Sequence, residues 1–252
     1  MLYHEPMNKA QRDRRVAFFG GSFDPPHVGH LAVARAARAG LNLDTVLFAP
    51  VGAQPLKPAG SAAGFDDRVA MTRLAIAGEA GLALSLADAP RPGHVPNYTL
   101  ETLLSLRTEL GPGCELFCLM GADSFAGIKY WRGAAELPFA ASLIVAARPG
   151  FVPADLQAAL PGGLTVEIAE RRTRAARVTV CTYRLQNPMR TEALLYLLPG
   201  VHVDVSASTI REAIGGFAEG RNTADGMLPR AVAQYIHAHR LYSPLAPGGS
   251  RG

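Results

Sequence analysis

RRVAFFGGSFDPPHVGHLAVARAARAG, residues 14–40, sets the architecture. Its first seven residues, RRVAFFG, set a short apolar run behind two arginines and read as a strand. VGHLAVARAARAG is alanine-rich, carries apolar residues at helical spacing, ends in glycine and reads as a helix. Between them GGSFDPPHVGH, Gly20 to His30, leaves the strand and enters the helix with no other spacer. Gly20 and Gly21 let a ligand approach the backbone. Pro25 and Pro26 stiffen the turn and suit a helix entry. The helix start offers unpaired N–H groups to an anion. His27 and His30 are three residues apart, on one face, and can both donate to phosphate oxygens, with Gly29 leaving room between them. The stretch holds neither a GxGxxG fingerprint nor a P-loop.

Working outward, strand-like and helix-like segments alternate. DTVLFAP, LALSLAD, CELFCLMG, ASLIVAA and VHVDV read as strands. DDRVAMTRLAIAG, with Asp66 and Asp67 at its start, TLETLLSLRTEL from Thr99, STIREAI and RAVAQYIHAH read as helices. This order predicts an α/β fold: a doubly wound parallel sheet with helices on both faces and a short C-terminal helical region. Ligands of such sheets lie beyond the carboxyl ends of the strands. TVEIAERRTRAARVTVCTY, residues 165–183, reads as two strands around an arginine-rich turn. That turn is either a phosphate or subunit contact or a solvated hairpin tip.

The chain has 252 residues, 48% hydrophobic and 18% charged, which suits one core-forming domain. Residues 15–242 are expected to form it, with added sequence within 161–200 and loose tails at 1–14 and 243–252. Cys114, Cys118 and Cys181 make an odd count without framework spacing, so a disulfide scaffold is not expected. No signal-peptide pattern or membrane-length apolar run is seen, and a cytoplasmic setting follows as the expectation. Net charge is +4 and the pI about 9.1. That suits nucleotide ligands and calls for neither a nucleic-acid nor a membrane partner. His4, His94, His202, His237 and His239 lack metal-ligand company.

The HxGH signature behind GGSFDPPH resembles the nucleotidyltransferase superfamily and, in the full run, the bacterial nicotinate-nucleotide adenylyltransferases. The sister phosphopantetheine enzymes usually have Thr at the position of His27. VSASTIR, Val205 to Arg211, is similar to the family's late [IV]-S-S-T-x-I-R signature, with Ala207 and Ser208 as departures. PNYTLETL (96–103), GADSFAGIKYWRGAAEL (121–137) and ARPG (147–150) are similar to further family segments. The resemblance covers roughly Arg15 to Tyr242 and implies a Rossmann-like fold. It also implies adenylyl transfer from ATP to nicotinate mononucleotide, giving nicotinate adenine dinucleotide (deamido-NAD) and pyrophosphate.

By that resemblance His27, His30 and Arg211 carry the chemistry. Gly20, Gly21, Ser22, Phe23, Gly121, Asp123, Arg148, Ser206 and Ser208 join them around ATP. Ser22, Lys57, Thr99, Asp123 and Trp131 face nicotinate mononucleotide. Trp131, the only tryptophan, can stack on a pyridine ring or simply belong to the core. Asp123 and Thr99 can bind substrate or begin helices. Lys57 can reach a phosphate or face water, and Leu56 departs from the family's P-H-[KR]. Mg²⁺ is expected on the ATP phosphates, without a protein carboxylate cage. A sister activity on nicotinamide mononucleotide or phosphopantetheine, an inactive nucleotide-binding module, and a homo-oligomer all stay open at this point.

Overall fold

The computed structural model describes residues 14–55, 60–147, 153–175, 177–201, 205–215 and 226–243. Five strands follow the alternating pattern: β1 (Arg14–Gly21), β2 (Thr45–Pro50), β3 (Leu82–Leu84), β4 (Cys114–Gly121) and β5 (Ser142–Ala147). Three more, β6 (Thr165–Ala175), β7 (Val178–Gln186) and β8 (Glu192–Pro199), come from the segment expected to carry added sequence. All eight form one sheet in the order β3-β2-β1-β4-β5-β8-β7-β6. β3 to β8 across that order run parallel. β7 and β6 are antiparallel to their neighbours, so the sheet is mixed at this end.

The helices are α1 (Val28–Gly40), α2 (Phe65–Ala75), α3 (Thr99–Leu110), α4 (Ala122–Ala126), α5 (Leu137–Ala140), α6 (Pro153–Ala159), α7 (Ala207–Gly215) and α8 (Arg230–Ala238). Both sheet faces are covered because the central strands are apolar on both sides. Phe18, Cys118, Met120, Leu143 and Val145 point to one core, with Leu103 and Leu106 of α3 and Phe125 of α4. Ala17, Phe19, Phe117, Leu119 and Ile144 point to the other, with Leu31, Ala34 and Ala37 of α1. A third cluster packs Met71 and Ala75 of α2 against Ile210 of α7 and Val232 and Ile236 of α8. This is the C-terminal helical region.

Three readings are refined. LALSLAD supplies only a three-residue strand, because β3 is an edge paired with β2 alone. β8 was not anticipated: its leucine-rich run EALLYLLP has no clean period, and pairing with β5 and β7 decides it. VHVDV falls mostly on residues 202–204, outside the described residues. Cys118 and Cys181 are buried and Cys114 is partly so; all three are free thiols.

β2, β1, β4 and β5 place the switch in chain direction between β1 and β4. One wall of the crevice there is set by a backbone clasp. Gly52 donates its N–H to the Asp88 carbonyl (2.7 Å). Ala53 donates to Asn97 Oδ1 (3.0 Å) and Asn97 Nδ2 donates to the Ala89 carbonyl (2.9 Å). Thr102 Oγ1, one turn into α3, donates to Asp88 Oδ1 (2.7 Å). A Cβ on Gly52 would stand 2.5 Å from the Pro90 backbone. Gly52→Ala is therefore expected to cost about 1–3 kcal/mol. The check is a lower urea midpoint with an unchanged denaturant slope.

Candidate active site

The chain leaves β1 through Gly20 and Gly21 into a turn whose floor is Phe23. Phe23 has left-handed backbone (φ 46°), an uncommon state for an aromatic residue. Its ring is buried and holds it there, packed edge-on to Phe19 (5.6 Å) and to the His30 imidazole (4.9 Å). His27 caps α1, and its backbone N–H donates to His30 Nδ1 at 3.1 Å. An accepting Nδ1 is unprotonated, so neutral His30 carries its proton on Nε2 and can donate it. The two rings lie 3.7 Å apart. Burial pushes the His27 pKa down to about 4. Burial first, and then the charge of His27, hold His30 well below the usual imidazole range. Near neutral pH the pair is two uncharged donors at a helix start.

Asp24 fastens this turn to the rest of the chain. Its carboxylate accepts from the N–H groups of Ala62 (2.6 Å) and Ala63 (3.1 Å) and from the Tyr242 hydroxyl (2.7 Å). Its carbonyl accepts from Arg211 Nη1 (2.7 Å). Val28, the first residue of α1, donates its N–H to the Met227 carbonyl (3.0 Å). Beneath the turn Arg68, only 2% exposed, donates to the carbonyls of Ser22 (2.7 Å) and Val51 (2.9 Å). Burial lowers its pKa, and the Asp24 charge works against that.

A cavity of about 800 Å³ opens at the carboxyl ends of β1 and β4. Gly20, Gly21, Ser22, Phe23, His27, His30, Thr99, Gly121, Asp123, Trp131 and Ser206 all line it. Thr99 is the first residue of α3, behind Tyr98 at the cap position. Asp123 lies in the first turn of α4. Trp131 packs against one core and lines the cavity. Ser206 Oγ accepts the Thr209 N–H (3.1 Å) and so caps α7. Ser208 does not cap; its Oγ accepts from Arg211 Nη2 at 3.4 Å. Ser208 and Arg211 are not among the lining residues, yet Arg211 touches the histidine turn through Asp24. Lys57 and Arg148 lie outside the described residues, as does Leu56.

The model of the cytidylyltransferase-like family matches residues 18–213. A "Probable nicotinate-nucleotide adenylyltransferase" of Gloeobacter violaceus is 38% identical over 236 residues, 94% of this chain and 98% of that protein. One of the same name from Geobacter sulfurreducens is 35% identical over 231 residues, 91% of this chain and 98% of that protein. The chain belongs to this family, in its nicotinate-nucleotide adenylyltransferase branch. Among solved structures, the nicotinic acid mononucleotide adenylyltransferase of Plasmodium falciparum, complexed with NaAD, aligns with a TM-score of 0.64. The alignment covers 91% of this chain and 97% of that one at 17% identity, a likeness of fold.

Within this family site, sequence reasoning passed over Asp24, Arg68, Asp88, Asn97 and Tyr242. Asp24 stands inside the quoted motif and was read only as part of a turn. Arg68 follows two aspartates at a helix start, where a solvated charge is the ordinary reading. The contacts of Asp24 lie 38 to 218 residues away in sequence and those of Arg68 17 and 46 residues away, which leave no local pattern.

Because His27 binds its proton less readily folded than at the ordinary 6.5, the unfolded chain holds more protons between about pH 6.5 and 4. Stability is then full above that window and falls as pH drops through it. Urea midpoints measured from pH 7 to 4 should fall, and His27→Asn should flatten the slope. Long-range ¹H–¹⁵N spectra at pH 7 should show His30 as the neutral Nε2–H tautomer.

Proposed function

We propose that this protein transfers the adenylyl group of ATP to nicotinate mononucleotide, forming deamido-NAD and releasing pyrophosphate. The observation that carries the reading is the pair of neutral imidazoles at the start of α1, His27 buried and His30 partly so, in the crevice beyond β1 and β4. The names of the relatives, over nearly the whole chain, support it.

The 5′-phosphate oxygen of the mononucleotide attacks the α-phosphorus of ATP. The bond from that phosphorus to the bridging oxygen breaks, and pyrophosphate leaves with the electron pair. No covalent enzyme intermediate is needed: alignment and charge stabilisation suffice. His27 and His30 donate to ATP phosphate oxygens as negative charge shifts toward the leaving group. Gly20, Gly21 and Ser22 let the nucleotide lie against the backbone, over the floor formed by Phe23. Gly121 and Asp123 meet a ribose, whose hydroxyls the carboxylate accepts. The capped start of α7, with Ser206 and Ser208, faces the β- and γ-phosphates. Arg211 spends two donors on Asp24 and Ser208, and its guanidinium keeps others for that end of the triphosphate. Arg148 is assigned to ATP, and Lys57 to the phosphate of the mononucleotide. The pyridine ring stacks on Trp131, and its carboxylate meets the N–H groups at Thr99.

Magnesium enters as part of the ATP substrate. Of the carboxylates in the cavity, Asp24 is engaged by Ala62, Ala63 and Tyr242, and Asp88 by Thr102. Among the described residues no group of three or more His, Cys, Asp or Glu side chains gathers. That donor set fits an ion held by phosphate oxygens and water. Among the described residues no helix is long and apolar enough to cross a membrane. We place the protein in the cytoplasm, as one catalytic domain over residues 15–242, acting on small nucleotides without nucleic acid or membrane.

Purified protein supplied with ATP, Mg²⁺ and nicotinate mononucleotide should release pyrophosphate; no release under any of these conditions sinks the reading. His30→Ala should lower kcat by about 10²–10³, the usual loss of a transition-state donor. An unchanged melting temperature would separate that loss from unfolding.

A further inference from the structure

The cavity is lined by three carboxylates, Asp24, Asp88 and Asp123, yet among the described residues by a single Lys or Arg, Arg132. Arg132 is not at the phosphate end. It follows Trp131 and lies over Tyr98, its guanidinium carbon 4.5 Å from the ring centroid. Tyr98 is the cap residue of α3 and precedes Thr99. The local backbone delivers it there: Gly133 turns with φ 70° and sits so close to Leu100, in the first turn of α3, that a Cβ would overlap that side chain.

Arg132 has little other occupation. Its acidic neighbour is Glu101, 3.7 Å away. Glu101 is held far more closely by Arg91, at 2.5 Å. The Arg132 side chain is 66% exposed, and a loose pair of that exposure contributes little. Stacking on Tyr98 keeps the planar fork oriented while leaving its edge donors open.

We propose that Arg132 is the residue that selects the acid over the amide of the pyridine mononucleotide, by pairing its guanidinium with the ring carboxylate. This rests on the function proposed above. A carboxylate offers two charged oxygens to the fork, whereas a carboxamide offers one neutral oxygen and an NH₂ group that opposes the guanidinium donors. The discrimination therefore includes a repulsive element against the amide as well as an attraction to the acid.

The test compares wild type, Arg132→Leu and Arg132→Lys with nicotinate and nicotinamide mononucleotides at saturating Mg·ATP, reading kcat/KM for each. Arg132→Leu should lower the acid-to-amide ratio by roughly tenfold or more, the worth of one charge-assisted hydrogen bond. The KM for ATP should stay put, and Arg132→Lys should fall between the two. An equal loss on both mononucleotides, an unchanged ratio, or a lysine variant as poor as leucine would each overturn the inference. Wild type that turns over neither mononucleotide removes the proposed function and this inference together. Wild-type turnover with an unmoved ratio removes the inference alone.

Discussion

The arrangement depends on Asp24, a buried aspartate whose carbonyl and carboxylate collect bonds from three distant parts of the chain. The loop at Ala62–Ala63, Arg211 of α7 and Tyr242 beyond α8 all donate to it. At 4% exposure, a carboxylate lacking these partners would be strongly unfavourable. The network is therefore close to all-or-none. The histidine turn takes its position from this closure more than from its own sequence. Tyr242, near the end of the described residues, thereby helps to place the two imidazoles near the start of the chain.

For the triphosphate of the proposed reaction, neutral imidazoles leave open what supplies a positive field. Fixed sources that need no proton surround the turn. Arg68 lies buried under Ser22 and Val51, its charge close to the turn but shielded from water. The start of α1 adds its partial positive charge. Arg211 arrives beside Asp24. With the charge placed in these groups, the two histidines can donate hydrogen bonds without bearing the cost of a buried imidazolium. Their desolvation keeps them neutral, each with one N–H left to donate.

What the sequence made legible follows from the range of the interactions concerned. The Gly-Gly, Pro-Pro and His-x-x-His spacings act within a few residues, so β1, the turn and α1 could be read directly. The hairpin of β6 and β7 was also readable, because two apolar runs flank a charged turn. β8 was not, since EALLYLLP suits helix or strand until β5 and β7 bracket it. Asp88, Asn97 and Thr102 look like ordinary loop and helix residues, and their clasp exists only once β2 and β3 lie side by side. The gathering of Gly21, Asp123, Trp131 and Ser206 in one cavity was expected through motif resemblance. The support beneath that cavity was not, because single buried polar residues carry no period.

The sheet extension belongs to the same argument. α1 ends at Gly40, where a Cβ would stand 3.1 Å from both Val178 and Val180 of β7. Glycine there lets the helix lie down on the antiparallel strand, and Val180 joins Leu31, Ala34 and Ala37 in one core. The opposite end of α1 is held by the Met227 carbonyl and the Asp24 network. A helix of thirteen residues fixed at both ends has little freedom to roll. Rolling would turn His27 and His30 together out of the crevice that both line. Residues 178–199 thus act on the crevice without lining it: by seating the far end of α1, β7 and β8 set the angle at which the near end presents its imidazoles.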